Sequence, residues 1–426
     1  MPADTIFALS SGAPPAAISV IRVSGAAAHR AGVALAGSIP PARQASVRAL
    51  RDRNGSLLDE ALVLRFDGPA TSTGEDLVEL HCHGGRAVVA AILDALGAIE
   101  GVRSAQPGEF TRRAFENGRI DLTEAEGLAD LIEAETESQR RAALMMAEGG
   151  LRKEIGAWQE RLLGLAARAE AAIDYVDEDS VDGDPSLSSD CGALAEGLSR
   201  WLDRPRVEPL RDGVRVVISG PPNVGKSSLL NAIVGFDRAI VTNIPGTTRD
   251  HIEVPVAFAG VPVRLTDTAG LRESGESVER IGVDRARRLT ELADVLLWLG
   301  EPGDVPDHPR AILVHPRSDL AGRRQPPTGT IAVSSLTGAG LAELTQVLVR
   351  KVRSVLPAEG EMALNARQAG CLDEARQALE QAGRSGDPVI AAELLRQARA
   401  SFDRLTGRAG VEDLLDALFG RFCLGK

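Results

Sequence analysis

The chain has 426 residues, 44% of them hydrophobic and 25% charged, which is enough for about three globular domains. Its net charge of −12 and its 3% aromatic content disfavour a surface that holds nucleic acid unaided, so a nucleic-acid substrate would be held largely through a partner. We expect a cytoplasmic protein without a membrane span or signal peptide, because no apolar run is long enough, no basic segment precedes an apolar core, and the four cysteines are scattered.

The first 118 residues mix predicted strands with a predicted helix. Strand-like runs cover Ile18 to Val23, Ala61 to Phe66 and Leu77 to Cys82, and a helical pattern covers Ala87 to Ile99. This mixture predicts an α+β domain over residues 1–118.

Two charged residues stand out in those strands. Alternation along Leu77 to Cys82 places Glu79 on the face opposite the apolar residues, together with His81. Arg22 interrupts an otherwise apolar strand, and a charge there needs an anion or a carbonyl as its partner. From the residues alone, Arg22 and Glu79 are either an internal ion pair or part of a binding pocket.

Residues 119–210 and 353–426 have helical patterns. Apolar residues recur at steps of three and four at Ile155, Trp158, Leu162, Leu165, Ala169 and Ile173. An acidic segment over residues 177–185 interrupts this pattern as a loop. Near the C-terminus, Asp387 and Pro388 predict the start of a helix, and apolar stripes follow from Leu394 to Leu405 and from Val411 to Phe422. The two segments predict one discontinuous helical domain with residues 211–352 inserted into it.

The inserted segment contains a phosphate-binding loop in the context that this motif requires. Residues 220–227 match G-x-x-x-x-G-K-[ST], after the strand-like Val214 to Ile218 and before the helical Leu229 to Val234. Backbone N–H groups of such a loop wrap phosphates, Lys226 adds positive charge, and the Ser227 hydroxyl can hold Mg²⁺. Taken alone, the match could also be a glycine-rich turn in an ordinary α/β sheet.

Two further segments favour a Ras-like α/β GTPase domain. Residues 246–250 read Gly-Thr-Thr-Arg-Asp, and residues 267–270 read Asp-Thr-Ala-Gly after the strand-like Val261 to Thr266. A Thr of the first segment can complete the Mg²⁺ shell, Asp267 can hold Mg²⁺ through water, and the Gly270 N–H can meet the γ-phosphate. The order and spacing of the three signals are typical of a GTPase.

The segment expected to read guanine departs from Asn-Lys-x-Asp. After the strand-like Ala311 to Val314 the chain has Pro316, Arg317, Ser318 and Asp319. Asp319 can accept hydrogen bonds from guanine and the Arg317 stem can cover the base, but Pro316 has no amide to meet the base or to tie the loops together. We expect guanine preference with weakened affinity or specificity, and an ATPase with relaxed base choice stays an alternative.

The residues predicted to bind GTP share these loops. They are Asn223, Val224, Gly225, Lys226, Ser227, Ser228, Thr242, Asn243, Ile244, Pro245, Gly246, Thr247, Thr248, Asp267, Thr268, Ala269, Gly270, Pro316, Arg317, Ser318, Asp319, Ser334, Ser335 and Leu336.

The whole chain resembles the MnmE (TrmE) family of tRNA-modification GTPases. Besides the GTPase signals, the runs that carry the resemblance are Asp4–Ile6, Ile21–Gly25, Thr73–Asp76, His83–Gly85, Pro107–Phe110 and Cys423–Lys426. The family's Gly-Arg-Gly is absent near Pro14, where the loop is shorter. The resemblance implies a tetrahydrofolate-binding and dimerisation domain over residues 1–118, a helical domain, and an inserted GTPase domain over residues 211–352.

The resemblance also implies an activity and its partners. With an MnmG-type FAD- and NADH-dependent protein, a homodimer of such a chain would install an aminomethyl or carboxymethylaminomethyl group on C5 of the wobble uridine of certain tRNAs. The one-carbon unit would come from 5,10-methylene- or 5-formyl-tetrahydrofolate. The alternative is a regulatory or ribosome-assembly GTPase, which would be expected to carry an RNA-binding module with a basic Gly-x-x-Gly segment.

Several site residues follow from the resemblance alone. It assigns Arg22, Glu79, Arg119 and Lys426 to the folate pocket, although Lys426 could instead be a solvated tail. Cys423 is either a residue of the one-carbon chemistry or a small buried anchor.

The resemblance also assigns the hydrolytic machinery. Leu271 cannot orient water as the Gln of Ras-type proteins does, and the resemblance gives that role to Glu279, which could otherwise be a solvated carboxylate. It assigns Mg²⁺ to Ser227 and Thr248, and K⁺ to Asn223, Thr242, Ile244 and Thr247. A monovalent cation there would supply the positive charge of an arginine finger.

Overall fold

The computed structural model describes residues 4–174, 185–236, 253–268, 287–409, 412–422 and 425. The chain forms two compact units, Met1–Ala129 with Asp403–Lys426, and Asp130–Phe402. Each unit contains one six-stranded sheet. The division into three domains predicted from the sequence stays a prediction.

Besides the helical residues 287–291, thirteen α-helices have bounds within the described residues. They are α1 (Ala28–Ala36), α2 (Arg86–Gly97), α3 (Glu109–Glu116), α4 (Leu122–Glu133), α5 (Glu137–Ala147), α6 (Gly150–Asp174), α7 (Pro185–Leu202), α8 (Glu208–Asp212), α9 (Lys226–Phe236), α10 (Leu341–Arg353), α11 (Ala366–Arg384), α12 (Pro388–Thr406) and α13 (Glu412–Phe419). Within these described ranges, none of the helices combines the length and the apolar character needed to cross a bilayer.

The sheet of the first unit is mixed. Its strands are β1 (Thr5–Leu9), β2 (Ile18–Ser24), β3 (Ala45–Arg51), β4 (Leu57–Phe66), β5 (Leu77–His83) and β6 (Val102–Ser104). The strand order is β3-β4-β5-β2-β1-β6, and every pair is antiparallel except β1 with β6. Residues that alternate along β2 and β5, such as Ile21 and Leu80, are fully buried with Ile92 and Leu96 of α2. The residues between them, including Arg22 and Glu79, therefore lie on the opposite, partly exposed face.

The end of the chain packs within the same unit. Phe419 and Phe422 are buried in a small cluster with Leu122 and Leu415. Gly108, which precedes α3, has a φ of 69°, and a Cβ there would overlap the backbone of Phe419. A glycine is required at residue 108 both by the left-handed backbone and by this close approach.

Helical packing dominates the part of the second unit outside its sheet. The Trp158 ring of α6 lies 5.5 Å from the Trp201 ring and 6.1 Å from the Phe402 ring, measured between centroids. The predicted stripe on α6 is buried except at Ile173, which is partly exposed near the end of that helix. The N-cap predicted at Asp387 is confirmed, because Asp387 Oδ1 accepts a hydrogen bond from the Val389 N–H at 2.8 Å. The predicted acidic loop lies almost entirely outside the described residues.

The sheet of the second unit is parallel except at one edge. Its strands are β7 (Val214–Ser219), β8 (Glu253–Phe258), β9 (Val261–Asp267), β10 (Val295–Trp298), β11 (Ala311–Pro316) and β12 (Ile331–Val333). The order is β12-β11-β10-β7-β9-β8, and only β8 and β9 are antiparallel. The carboxyl ends of parallel strands meet at one edge of the sheet, where ligands bind in open α/β folds. The fold class predicted from the sequence is confirmed: α+β, helical and α/β parts in one chain.

Candidate functional site

The loop after β7 has the backbone of a phosphate-binding loop. Gly220, Asn223 and Gly225 have φ values of 147°, 57° and 110°, and α9 begins at Lys226, three residues before the start that the sequence indicated. A Cβ at Gly220 would lie 3.2 Å from the Leu299 side chain and 3.2 Å from the backbone of Leu299 and Gly300, so a glycine is needed there. The loop therefore turns directly from a central strand into a helix N-terminus.

The polar side chains at the end of this loop contact the loop itself and the end of β9. The Ser227 hydroxyl donates a hydrogen bond to the Asp267 carboxylate, which is buried at the end of β9. Lys226 is also buried, and its ammonium donates to the carbonyls of Gly220 at 3.0 Å and Pro221 at 2.7 Å. Thr268 donates from Oγ1 to the Ile218 carbonyl at 3.0 Å and holds the ends of β9 and β7 together. A hydroxyl beside a carboxylate at this edge is the oxygen donor set that Mg²⁺ prefers.

The segment predicted to read the base, residues 316–319, begins at the end of β11 and is held to the end of β12. It is called the base-reading segment below. Asp319 accepts a hydrogen bond from the buried Ser334 hydroxyl at 2.6 Å, and the Ser318 N–H donates to the Val333 carbonyl at 3.2 Å. The first bond fixes the Asp319 carboxylate, and the second holds the backbone next to it. Leu336, also predicted to bind GTP, is 85% exposed and offers an apolar surface.

Arg317 reaches the phosphate loop. Its Nη2 donates to the Asn223 carbonyl oxygen at 2.6 Å, so the base-reading segment and the phosphate loop are directly joined. The sequence reasoning gave Arg317 only the role of covering the base.

Many predicted site residues lie outside the described residues. They are Thr242, Asn243, Ile244, Pro245, Gly246, Thr247, Thr248, Ala269, Gly270, Glu279, Cys423 and Lys426. Their assignments stay predictions.

The predicted folate residues Arg22 and Glu79 form an ion pair. They face each other across β2 and β5, and Glu79 Oε1 accepts hydrogen bonds from Arg22 Nε at 3.1 Å and Nη2 at 2.9 Å. His81 Nε2 lies 3.2 Å from Glu79 Oε2. The three side chains are between 17% and 28% exposed, so they form a charged cluster open to one side of the sheet. An ion pair was one of the two alternatives from the sequence, and the folate pocket stays a prediction.

The other two predicted folate residues are Arg119, which the structure describes, and Lys426, which lies outside the described residues. The exposed Arg119 lies beside the Thr73–Asp76 run, since a Cβ at Gly74 would lie 3.3 Å from Arg119 Cγ. Lys426 is not described, but Gly425 is, and its carbonyl accepts a hydrogen bond from Ser10 Oγ at 2.9 Å. A Cβ at Gly425 would overlap the Leu9 carbonyl at the end of β1, so Gly425 lies tightly against this strand.

Sequence reasoning missed an ion-pair network around the buried Arg113 in the same unit. Arg113, which is 8% exposed, contacts Glu75 at 3.2 Å and Glu109 at 3.0 Å, and Glu75 also accepts from the Ser24 hydroxyl at 2.8 Å. Burial raises the pKa of Glu109, but hydrogen bonds from Arg103, the Gln106 N–H and Arg113 outweigh it and lower that pKa to about 2. Two of the runs that carried the resemblance, Thr73–Asp76 and Pro107–Phe110, meet in this network. The acidic residues of these runs, Glu75 and Glu109, were the feature of the sequence from which the network could have been predicted.

Sequence reasoning also missed a cavity of about 620 Å³ in the second unit. Its wall is formed by α5, α8 and the β8–β9 hairpin, with Ala142, Met146 and Val256 in the apolar part and Glu133 and Arg264 in the charged part. None of the phosphate-loop or base-reading residues lines it. A cavity of this size is often a ligand site, but the convergent polar groups lie at the phosphate loop, and we place the candidate site there.

The fold and the loop geometry define the class: a P-loop nucleotide-binding α/β domain within a larger α-helical and α+β chain. Two family models match in succession, the GTP-binding protein TrmE N-terminus over residues 5–119 and the MnmE helical domain over residues 122–423. The chain belongs to the MnmE family of tRNA modification GTPases.

Similar proteins span its full length. The tRNA modification GTPase MnmE of Erythrobacter litoralis is 56% identical over 99% of this chain and 100% of that protein. Those of Novosphingobium aromaticivorans and Zymomonas mobilis are 52% and 50% identical, again over 99% of this chain and 100% of each relative. Among solved structures, the G domain of the T. maritima FeoB iron transporter is 28% identical over 32% of this chain and 98% of that one, with a TM-score of 0.24. A TM-score this low carries no weight.

Proposed function

We propose that this chain hydrolyses GTP with Mg²⁺ and K⁺ and that hydrolysis serves a tRNA modification. With an MnmG-type FAD- and NADH-dependent protein, it would install an aminomethyl or carboxymethylaminomethyl group on C5 of the wobble uridine of certain tRNAs. The carbon would come from a methylene- or formyl-tetrahydrofolate. The observation that carries the proposal is the contact of Ser227 with Asp267 beside the phosphate loop, in a chain of this family.

The phosphate loop supports the hydrolytic part. Lys226 holds its ammonium on two loop carbonyls, from which it can turn to the outer phosphates of a nucleotide. Ser227 and Asp267 fit Mg²⁺, which when bound neutralises charge on the phosphate oxygens. Asn223 with Thr242, Ile244 and Thr247 would hold K⁺, and Glu279 would orient water, because Leu271 cannot.

The charged cluster of Arg22, Glu79 and His81 supports the one-carbon part. A pterin ring carries adjacent N–H donors, and the Glu79 carboxylate is an acceptor held in place from both sides. Arg119 and Lys426 would add positive charge for the carboxylates of a folate, and Cys423 would act near the one-carbon unit. The Gly425 contact with β1 supports a role for the tail in the same unit.

The assembly is also proposed by family analogy. The chain would act in the cytoplasm as a homodimer, and its net charge of −12 supports a partner that carries much of the tRNA grip.

Nucleoside analysis of bulk tRNA tests the proposed function. A strain without this chain should lack the C5-modified wobble uridine, and the wild-type chain should restore it. Asp267→Asn should not restore it, whereas Asp294→Asn, a change at an aspartate outside the loop, should. Unchanged wobble uridines in the deletion strain would instead support a GTPase that acts only as a switch.

The cation is tested separately by GTP hydrolysis in K⁺ and in Na⁺ at equal ionic strength. Hydrolysis should be much faster in K⁺, and Glu279→Ala should bind GTP but hydrolyse it slowly in both salts. Equal wild-type rates in the two salts would remove the K⁺ site from the proposal.

A further inference from the structure

The cavity beside α5 lies at the opposite edge of the second sheet from the phosphate loop. Gly213, immediately before β7, and Pro262, near the start of β9, both line it. The two strands run parallel, and they end at the phosphate loop and at Asp267. At about 3.3 Å per residue, β7 separates the cavity from the phosphate loop by roughly 17 Å. The cavity is therefore distinct from the nucleotide site, and two strands connect them.

Contacts between its walls hold the cavity in shape. Gln139, in the first turn of α5, accepts a hydrogen bond from the Thr136 N–H at 2.9 Å and donates from Nε2 to the Arg211 carbonyl of α8 at 2.9 Å. Arg211 in turn donates from Nε to Asp212 Oδ1 at 2.9 Å. These bonds join α5 to α8 through protein groups alone. The cavity is therefore preformed, as most small-molecule sites are.

The apolar part of the wall comes from α5, the β8–β9 hairpin and the segment before α11. Met146 and Val256 are buried there, and Met362 lines the cavity as well. Ile132, at the end of α4, also lines it and is 36% exposed, although it is a large apolar residue. Methionine side chains adapt to apolar ligands of different shapes. The volume of about 620 Å³ is in the range of sites that hold drug-sized molecules.

The charged part of the wall is mainly acidic. Only two arginines line the cavity, Arg211 and Arg264, against five acidic residues, which are Asp130, Glu133, Glu135, Asp212 and Glu361. Arg211 is paired with Asp212 at 2.9 Å. Arg204 pairs with Glu361 at 3.2 Å. With these pairs set aside, three acidic residues remain beside one arginine, and an excess of one sign of charge in a cleft attracts the opposite charge.

We propose that this cavity binds a small organic cation with an apolar body. The apolar body would lie against Met146 and Val256, and its ammonium group would lie near Glu133 and Glu135. The site goes beyond the proposed GTP hydrolysis and tRNA modification. Because β7 and β9 run from it to the phosphate loop, the bound cation would be an effector of nucleotide binding, and this second part rests on the proposed function.

Dansylcadaverine is a suitable probe, because its fluorescence rises in apolar surroundings and its amine is protonated at neutral pH. Titration into the full chain should show saturable binding. N-dansyl-ε-aminocaproate, which has the same ring and a carboxylate on a tail of equal length, should bind about tenfold more weakly. Equal affinities would overturn the assignment of a cation, and the absence of saturable binding by either compound would overturn the site.

Two variants that fill the cavity show whether the probe binds there. Ala142→Phe on α5 and Ala257→Phe on β8 occupy the volume from different walls, and each should abolish binding of dansylcadaverine. Ala167→Phe, at an exposed alanine of α6 outside the cavity, is the matched control and should bind normally. Wild-type affinity in either filling variant, with the wild-type circular dichroism spectrum, would overturn the site.

A charge variant tests where the ammonium group lies. Glu133→Gln together with Glu135→Gln should weaken dansylcadaverine about fivefold and should not weaken the aminocaproate compound. Because it adds no volume, this variant is also informative if the filling variants fail to fold. Glu148→Gln, at an exposed glutamate at the end of α5, is the matched control. Wild-type affinity in the double variant would overturn the placement of the ammonium group.

The effector part is measured with radiolabelled GTP. Saturating dansylcadaverine should change the Kd of GTP about fivefold, and by linkage GTP should change the Kd of the probe by the same factor. Identical affinities would overturn the effector part. If the chain bound no GTP, the proposed function would fail, while the probe titrations would still decide whether the cavity is a cation site.

Discussion

At the scale of single residues, the charged side chains of the first unit form two groups. Arg113 is only 8% exposed and is paired with the Glu75 and Glu109 carboxylates, as in a structural network. Arg22 and His81 are 26% and 28% exposed on a sheet face, as the proposed binding site requires. The exposure of the basic side chains distinguishes the two groups, because Glu75 and Glu79 are both 17% exposed.

Glu79 should matter for folate binding and not for folding. Glu79→Gln replaces one carboxylate acceptor oxygen by an amide donor and should weaken the binding of 5-formyl-tetrahydrofolate by about tenfold or more. Isothermal titration of the full chain measures this. Glu60→Gln, at an exposed glutamate of β4, is the matched control and should bind normally. Equal binding by the two variants would exclude Glu79 from the pocket.

Glu109 should make the first unit sensitive to acid. Its pKa is lowered from 4.5 to about 2 by folding, so its contribution to stability is complete above pH 4.5 and is lost as pH falls towards 2. A shift of this size corresponds to about 3 kcal/mol at neutral pH.

Urea unfolding between pH 7 and pH 2.5 measures this contribution. Circular dichroism is the suitable probe, because Trp158, Trp201 and Trp298 all lie in Asp130–Phe402. Glu109→Gln should be less stable than wild type at pH 7 and should converge with it in acid. A constant difference at every pH would rule out Glu109 ionisation as the cause.

At the scale of elements, Gly108 controls how α3 meets the end of α13. Gly108→Ala places a methyl group against the Phe419 backbone in addition to straining φ. Gly118 is the matched control, because its φ of 67° is nearly the same and a Cβ there would meet nothing within 4 Å.

The two alanine variants should therefore differ in stability. Gly118→Ala should lower the free energy of unfolding by about 1 kcal/mol, the cost of a left-handed alanine. Gly108→Ala should lose about 2 kcal/mol more, the cost of overpacking. If urea unfolding showed the same loss of unfolding free energy for both variants, α3 and the end of α13 would move apart at no cost in stability.

At the scale of the whole molecule, the tail and the phosphate loop belong to different compact units. Gly425→Ala should displace the tail from Leu9 while leaving the nucleotide site intact. We expect GTP hydrolysis at the wild-type rate and a large loss of tRNA modification, measured on the same purified protein with its partner. Gly360→Ala, at a glycine with a φ of 82° and open surroundings, should retain both activities. Full modification by Gly425→Ala would show that the tail does not contribute.

The sequence by itself determined several of the elements and the nucleotide loop. The strands β2, β5, β7 and β9 and the helix α6 follow from apolar periodicity, which is a local property of the chain. The glycines and Lys226 of the phosphate loop follow from a motif whose backbone geometry is also local.

Only the tertiary structure decided which charges meet. Arg22 pairs with Glu79, Arg113 joins Glu75 to Glu109, and Arg317 reaches Asn223, all through contacts between residues distant in sequence. Such partners depend on strand register and on the crossing of loops, which periodicity does not encode. The cavity beside α5 could not be predicted from the sequence either, because its walls come from elements that only the fold brings together.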